Sequence, residues 1–244
     1  MGYEARMREK ADALRALIAR RAAHEPVQYL LGSWPFLDFE VKVAPGVLIP
    51  RQDTETLVEA ALIALQTAND TPAVLDLCAG SGCVGLAIAS HSPDARVVLG
   101  ELSEGALRIC RQNIRRNGLS GQVVPLMMDV MEGPSLQLGE FDCIVSNPPY
   151  IDAKDMEGLE VSVKDFEPHM ALYGGSDGLD FYRSITEKYR HNLKPGGYLC
   201  YEFGEDQGDD VCDILTANGF TIRRRVNDFN GTERAVIAQY CVEE

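Results

Sequence analysis

VLDLCAGSGCVGLAIA, residues 74–89, decides how the rest of the chain is read. A short apolar run ends in a glycine-rich turn, and the helical pattern CVGLAIASH follows at once. This is strand, turn, helix. Gly80, Gly82 and Gly85 fall in the spacing Gly-x-Gly-x-x-Gly. Glycine lets a backbone come close to a ligand, and the helix N-terminus beyond it offers free amide groups. A dinucleotide fingerprint has this spacing, and an ordinary tight turn can have it too.

Outward from that turn the same rhythm repeats. Apolar strand patterns AVLDLC, ARVVLGEL, GQVVPLMMDV, FDCIVSN and GYLCYEFG alternate with the helical patterns CVGLAIASH, SEGALRICRQNIRRNG, DGLDFYRSITEKYRHNL and EDQGDDVCDILTANG. Ser103 is placed to cap its helix and Gly118 to stop it. Pro125 points to an edge position for its strand. Strands this apolar are buried on both faces, which predicts an α/β fold with a doubly wound, mostly parallel sheet. FTIRRRVND and RAVIAQYCV have only FNG (229–231) between them, too short for a crossover helix. They complete seven strands as an antiparallel C-terminal edge hairpin.

Upstream, residues 4–23 carry Met7, Ala11, Leu14, Leu17 and Ile18 at helical spacing, without Pro or Gly. Residues 25–50 are rich in Gly, Pro and aromatics; WPFLDFEVKV alternates like a hairpin and APG is turn chemistry. Asp53 or Thr54 can cap the helix that follows, and Arg51 with Glu55 spans one helical turn. The organisation expected is a helix over 1–24, a hairpin connector over 25–50 and one large domain over 51–244. The long irregular stretch 150–176 is the length of a functional loop.

The composition narrows the function. The 244 residues carry a formal net charge of -14, which disfavours direct nucleic-acid binding. The basic runs RQNIRRNG (111–118) and RRR (223–225) read as solvated faces. Seven cysteines without a Cys-x-x-Cys pair sit mostly in apolar runs, as expected of free thiols in a cytoplasmic protein. His24, His91, His169 and His191 have neither metal-ligand nor triad spacing, so no metal is expected. No apolar stretch is long enough to span a bilayer, and the charged N-terminus is not a signal peptide.

Three carboxylates end successive strands: Asp76, Glu101 and Asp129. In open α/β sheets ligands bind at that carboxyl edge. Asp76 would repel phosphate and suits an ammonium group. Glu101, about 20 residues beyond the turn, suits ribose hydroxyls. Asp129 can accept from an adenine amino group. Each has an alternative as a helix cap or a solvated charge. DLCAGSG, GELS and MDV together resemble the S-adenosylmethionine pocket of the Rossmann-like methyltransferases. Cys78 stands where that pattern has its first glycine. The resemblance implies cofactor contacts from Asp76, Cys78, Ala79, Gly80, Ser81, Gly82, Glu101, Leu102, Asp129, Val130 and Asn147.

SNPPYI (146–151) then ends the strand FDCIV on that same edge. An amide or aryl-amine nitrogen is a poor nucleophile because its lone pair is delocalised. Acceptors aimed at its two N–H groups favour a pyramidal nitrogen and stabilise the developing positive charge. The Asn147 side-chain carbonyl and the Pro148 backbone carbonyl are such acceptors. The Pro148-Pro149 pair stiffens the backbone that holds them, and Tyr150 can lay its ring over a planar group. A strand stop with a turn is the plain alternative.

LIPRQDTETLVE (48–59), NPPYI, FEPHMALYGGSDGLDFYRSI (166–185), LKPGGYLCYEFGEDQGDDV and GTERAV resemble the PrmC/HemK family of release factor glutamine methyltransferases. Arg51, Glu55, Glu167, Pro168, Gly174, Gly175, Asp177 and Gly178 fall on its pattern, and Gln52 departs from a usual proline. The resemblance implies a protein-(glutamine-N5) methyltransferase. Its partner is a peptide-chain release factor carrying a Gly-Gly-Gln loop, and Asn147, Pro148, Pro149 and Tyr150 hold the glutamine. It also implies that most of the family's N-terminal helical domain is missing from residues 1–24. A monomer is expected. Two other readings stay open: an adenine amino-methyltransferase of DNA or RNA, which shares the Asn-Pro-Pro-Tyr device, and a cofactor-binding protein without catalysis.

Overall fold

The computed structural model describes residues 3–68 and 70–241. Helix α1 (Tyr3–Ala22) forms as its spacing predicts, yet none of its residues is buried. Pro26 then starts the short helix α2 (Val27–Leu31), which ends at the left-handed Gly32. The connector is therefore a helical turn as well as a hairpin. Pro26 has the fixed φ that suits a helix start. Strands β1 (Ser33–Phe36) and β2 (Phe39–Lys42) pair antiparallel in a sheet of their own. The segment after β2 buries Val43, Val47 and Ile49, and the Tyr29 hydroxyl donates to the Val47 carbonyl at 2.6 Å.

Helix α3 (Glu55–Leu65) leads into β3 (Ala73–Leu77), and α4 (Cys83–His91) leads into β4 (Arg96–Glu101). Next come α5 (Glu104–Arg116), β5 (Val123–Met127) and β6 (Phe141–Ser146). The long loop contains α6 (Asp155–Gly158) and α7 (Val161–Lys164). Then follow α8 (Asp180–Tyr189), β7 (Leu193–Glu202), α9 (Gly208–Ala217), β8 (Phe220–Asn227) and β9 (Glu233–Tyr240). Seven strands form one sheet in the order β5-β4-β3-β6-β7-β9-β8. Pro125 lies on the edge strand β5, where a missing N–H is tolerated. β9 runs antiparallel to both β7 and β8, so the C-terminal hairpin closes the other edge.

Alternation along the strands sorts side chains into two cores. Val74, Val97, Cys143, Val145 and Ile237 join Leu57, Val84 and Ile109 on one face. Leu75, Leu77, Ile144, Leu199 and Val236 join Tyr182, Ile185 and Leu215 on the other. Helix α5 shows the local logic. Ser103 Oγ accepts from the Ala106 amide at 3.2 Å, Gly118 terminates at φ 69°, and Leu107, Cys110 and Ile114 are buried. From β3 the chain winds outward through β4 and β5, then returns to lay β6 on the other side of β3. The order reverses between β3 and β6, and such a switch point opens a crevice at the strands' carboxyl ends.

Candidate functional site

The switch point is held closed at its base. Ser146 Oγ, at the end of β6, donates to the Leu77 carbonyl at the end of β3 at 2.7 Å. Beyond Leu77 the chain turns at Cys78 (φ 59°), Gly80 (φ 56°) and Gly82 (φ 81°). Cys78 thus adopts the left-handed conformation that favours glycine, at the position where the related pattern has one. The glycines divide into two roles. A Cβ on Gly85 would sit 2.3 Å from Leu99 Cδ2, and one on Gly82 would sit 2.9 Å from Leu99 Cδ1. Those two allow α4 to approach β4. A Cβ on Gly80 would meet nothing within 4 Å, so its backbone faces open space.

The acids at the strand ends differ in their partners. Glu101 is buried; its Oε2 accepts from the Gly80 amide at 2.8 Å and its Oε1 from the Ser103 amide at 2.7 Å. Burial raises its pKa, and those two amides act against the rise. Each oxygen keeps a further lone pair for a hydroxyl. Asp76 turns Oδ2 to the Gly85 amide at 2.8 Å, at the start of α4. Burial pushes its carboxyl up to about 7. Asp129 Oδ1 accepts from the Met131 amide at 2.8 Å.

On the β6 side, Asn147 follows Ser146 and its Nδ2 donates to Thr54 Oγ1 at 3.3 Å. Thr54 therefore does not cap α3 with its side chain, contrary to the sequence expectation; its hydroxyl is turned inward to Asn147. The expected pairing of Arg51 with Glu55 is also corrected. Arg51 binds Glu167 on the long loop, and Glu55 accepts from the Leu37 amide at 3.0 Å. The buried Glu167 carboxylate also accepts from the Ile49 amide at 2.9 Å, so one carboxylate ties connector to loop. It wins because a buried charge must be both paired and hydrogen-bonded, whereas a one-turn surface pair contributes little.

The long loop packs directly on Asn-Pro-Pro-Tyr. Ile151 donates to the Leu172 carbonyl and Gly174 to the Ile151 carbonyl, both at 2.9 Å. A Cβ on Gly174 would lie 2.6 Å from the Pro149 carbonyl, and one on Gly178 would lie 2.3 Å from the Tyr150 carbonyl. Gln207 Nε2 donates to that same Tyr150 carbonyl at 2.9 Å. The Tyr150 ring packs against the core on the α8 side, where burial pushes its phenol up to about 12.

These segments enclose a cavity of about 460 Å³. Asp76, Cys78, Ala79, Gly80, Ser81, Glu101, Leu102, Asp129, Val130, Asn147 and Pro149 lie on its wall. Gly82, Pro148 and Tyr150 do not, so three expected site residues stand behind the surface. For Gly82 the reason is packing on Leu99; for Tyr150 it is the ring's place in the core. Sequence reasoning missed Thr54, Met128, Met170 and Phe181 on the wall, and Glu202 behind Asn147. Only Glu202 carried a signal, as a charge inside an apolar strand.

The wall suits a nucleoside. A bare glycine backbone faces open space, a fixed carboxylate keeps acceptor capacity for hydroxyls, and Leu102, Met128 and Val130 give apolar surface beside Asp129. Among the described residues no group of His, Cys, Asp and Glu is arranged to hold a metal ion. No helix there is long and apolar enough to cross a membrane.

Comparison with known proteins decides between the open readings. A release factor glutamine methyltransferase of Geobacter sulfurreducens is 43% identical, over 93% of this chain and 78% of its own. This chain belongs to the release factor glutamine methyltransferase family. The family member from Clostridium acetobutylicum is 40% identical, over 91% of this chain and 77% of its own. The methyltransferase small domain matches residues 51–163, and the PrmC N-terminal domain matches residues 3–32. A methyltransferase structure from Pyrococcus furiosus shares the fold, with TM-score 0.59 at 18% identity, covering 91% of this chain and 98% of that one. Membership makes S-adenosylmethionine the methyl donor.

Proposed function

We propose that this protein methylates the side-chain amide nitrogen of the glutamine in the Gly-Gly-Gln loop of a peptide-chain release factor. One observation carries the reading: Asn147 lies on the same cavity wall as Gly80 and Glu101 and is hydrogen-bonded there to Thr54. Acceptor and cofactor elements thus share one enclosed space.

S-adenosylmethionine supplies an electrophilic methyl group next to a positive sulfur. Glu101 would hold its ribose, Leu102, Val130 and Asp129 its adenine, and Gly80, Ser81 and Asp76 its amino-acid part. Asn147 directs one N–H of its amide to Thr54, which turns Oδ1 toward the substrate amide. Pro148 stands behind the wall between Asn147 and Pro149, so its carbonyl would accept the second N–H only from a substrate seated deep against that turn. Two acceptors on one amide nitrogen draw it toward a pyramidal shape and offset the charge that develops there. Pro148 and Pro149 are buried and their rings fix φ, which favours acceptors positioned before the substrate arrives. The proton leaves to water after transfer, so no general base is needed. Tyr150 supports this from the core rather than stacking on the substrate.

Residues 1–24 correspond to the end of the family's N-terminal domain, 25–50 to a connector and 51–244 to the catalytic domain. The match of the PrmC N-terminal domain to residues 3–32 supports an N-terminal unit of that kind, although it runs past residue 24 into the connector. Seven free thiols support work in a reducing compartment, as the cytoplasm is. The acidic surface supports a protein substrate over a nucleic acid.

The test is transfer of labelled methyl from S-adenosylmethionine to a release factor, with an adenine-bearing oligonucleotide as competitor. Label on the release factor, lost when its Gly-Gly-Gln glutamine is replaced, is expected. Label on the oligonucleotide alone would overturn the proposal.

A further inference from the structure

Glu202 closes β7, next to the end of β6, and is 2% exposed. Its backbone carbonyl accepts from the Tyr182 hydroxyl at 2.8 Å. Its side chain is less well served: Oε2 has no hydrogen-bond partner among the described residues. The neutral side chains facing the carboxyl are Thr54 and Asn147; the charged ones are Arg234 and Asp53. The Tyr150 phenol lies within electrostatic reach. Arg234 Nη2 is shared by Asp228 at 3.4 Å and Asp53 at 3.7 Å, while its buried Nε has no hydrogen-bond partner among the described residues. Glu202 does not line the cavity. A buried carboxyl with an unpaired oxygen, one residue behind the reaction site, calls for an explanation.

We infer that Glu202 is a positioning residue that sets the hydrogen-bond polarity of Asn147 through Thr54. This rests on the reading of Asn147 Oδ1 as the acceptor for the substrate amide. An ionised carboxylate only accepts, whereas a hydroxyl both donates and accepts. No hydrogen bond joins Glu202 and Thr54 in the structure, but an ionised carboxylate beside the Thr54 hydroxyl would draw its proton to the unpartnered Oε2. The Thr54 oxygen is then left to accept, and it accepts from Asn147 Nδ2. With Nδ2 committed, Oδ1 is the atom presented to the cavity. A protonated Glu202 can donate to Thr54 instead. The Thr54 proton is then free to turn toward Asn147, and the opposite amide rotamer becomes competitive. That rotamer would present N–H to N–H at the substrate nitrogen.

Burial pushes the Glu202 carboxyl up to about 7, with Asp53 adding to the rise and Thr54, Arg234 and Asn147 opposing it. The aligned state is thus the high-pH state, and it is lost as pH falls through about 7. Asp76 is raised to the same region, so a pH limb alone does not separate the two. Substitution does.

The experiment uses the full chain and two readouts. In the protein alone, the Asn147 side-chain amide resonance is followed by NMR from pH 5 to 9, assigned with Asn147→Asp. It should titrate near pH 7 in the wild type and stay flat in Glu202→Gln. In methyl transfer to a release factor at pH 8, Glu202→Gln should lower kcat roughly tenfold or more, with cofactor Kd within about twofold. Glu202→Asp should restore part of the loss. Thr54→Val should lose as much, and the double variant no more, as expected of residues acting in series. Thr54→Val also carries the test if Glu202→Gln does not fold. An Asn147 titration unchanged in Glu202→Gln, or a variant matching wild type in kcat and pH profile, would overturn the inference. Wild type that titrates but labels no release factor would instead overturn the functional reading and leave this one standing.

Discussion

Glu101 and Glu202 are both buried carboxylates at the ends of parallel strands, on opposite sides of the switch point. Glu101 is satisfied locally, by the amides of Gly80 and Ser103. Glu202 has no backbone amide and keeps an unpaired oxygen beside Thr54, Asn147 and Arg234. The first arrangement is rigid and suits holding a ligand. The second is poised, because its hydrogen-bond directions depend on one proton. On the proposed reading the difference separates a binding half of the site from an acting half, and each should be open to disturbance without the other.

The largest effect is expected on the acting half. Asn147→Ala should lower kcat about 10²–10³-fold and leave cofactor affinity nearly unchanged, checked by single-turnover transfer and calorimetry. If that variant keeps most of its rate, the amide-acceptor account fails. Next comes the binding half. Glu101→Gln turns an NH2 toward an amide that now finds an acceptor. Cofactor Kd should rise about 10–100-fold, the worth of a hydrogen bond to a charged group, while kcat at saturation falls little.

A smaller effect tests burial on the binding side. Asp76 has its pKa raised from 3.8 to about 7, mainly by desolvation. Between those values the unfolded chain binds fewer protons than the folded one, so stability falls as pH rises through this window. Asp76→Asn keeps the acceptor for Gly85 and removes the ionisation. Its melting temperature should exceed that of wild type by a margin that grows from pH 4 to 7 and then levels off. An equal margin at pH 4 and pH 8 would place the shift elsewhere. The smallest effect concerns the turn itself. Cys78→Gly relieves a left-handed residue and should raise Tm by about 1–3 °C. A loss of several degrees would show that thiol packing outweighs the backbone strain.

How much was legible beforehand follows the same division. The Gly turn, Glu101 and the Ser103 cap were readable because their partners lie within a few residues or one strand away. Thr54 was misread as a cap, and Arg51 was matched to the wrong carboxylate. The cause is distance: Glu167 is 116 residues from Arg51, and Thr54 is 93 residues from Asn147. Helix α1 shows the opposite failure. Its periodicity predicts a helix correctly but says nothing about what covers it, and none of its residues is buried. Tyr150 looked like a wall because aromatic rings stack on planar groups, yet the core took the ring.

The sequence by itself determined the fold class and marked the carboxyl edge, with Asn-Pro-Pro-Tyr on it, as the candidate site. Those follow from period-2 and period-3.6 patterns and from turn chemistry, which act over short stretches. Only the tertiary structure decided which glycine faces open space and which faces Leu99. It also decided which carboxylate fastens Arg51, and that Glu202 stands behind Asn147. These depend on strand order, and the reversal between β3 and β6 brings distant segments to one point. No local pattern records which segments will meet there.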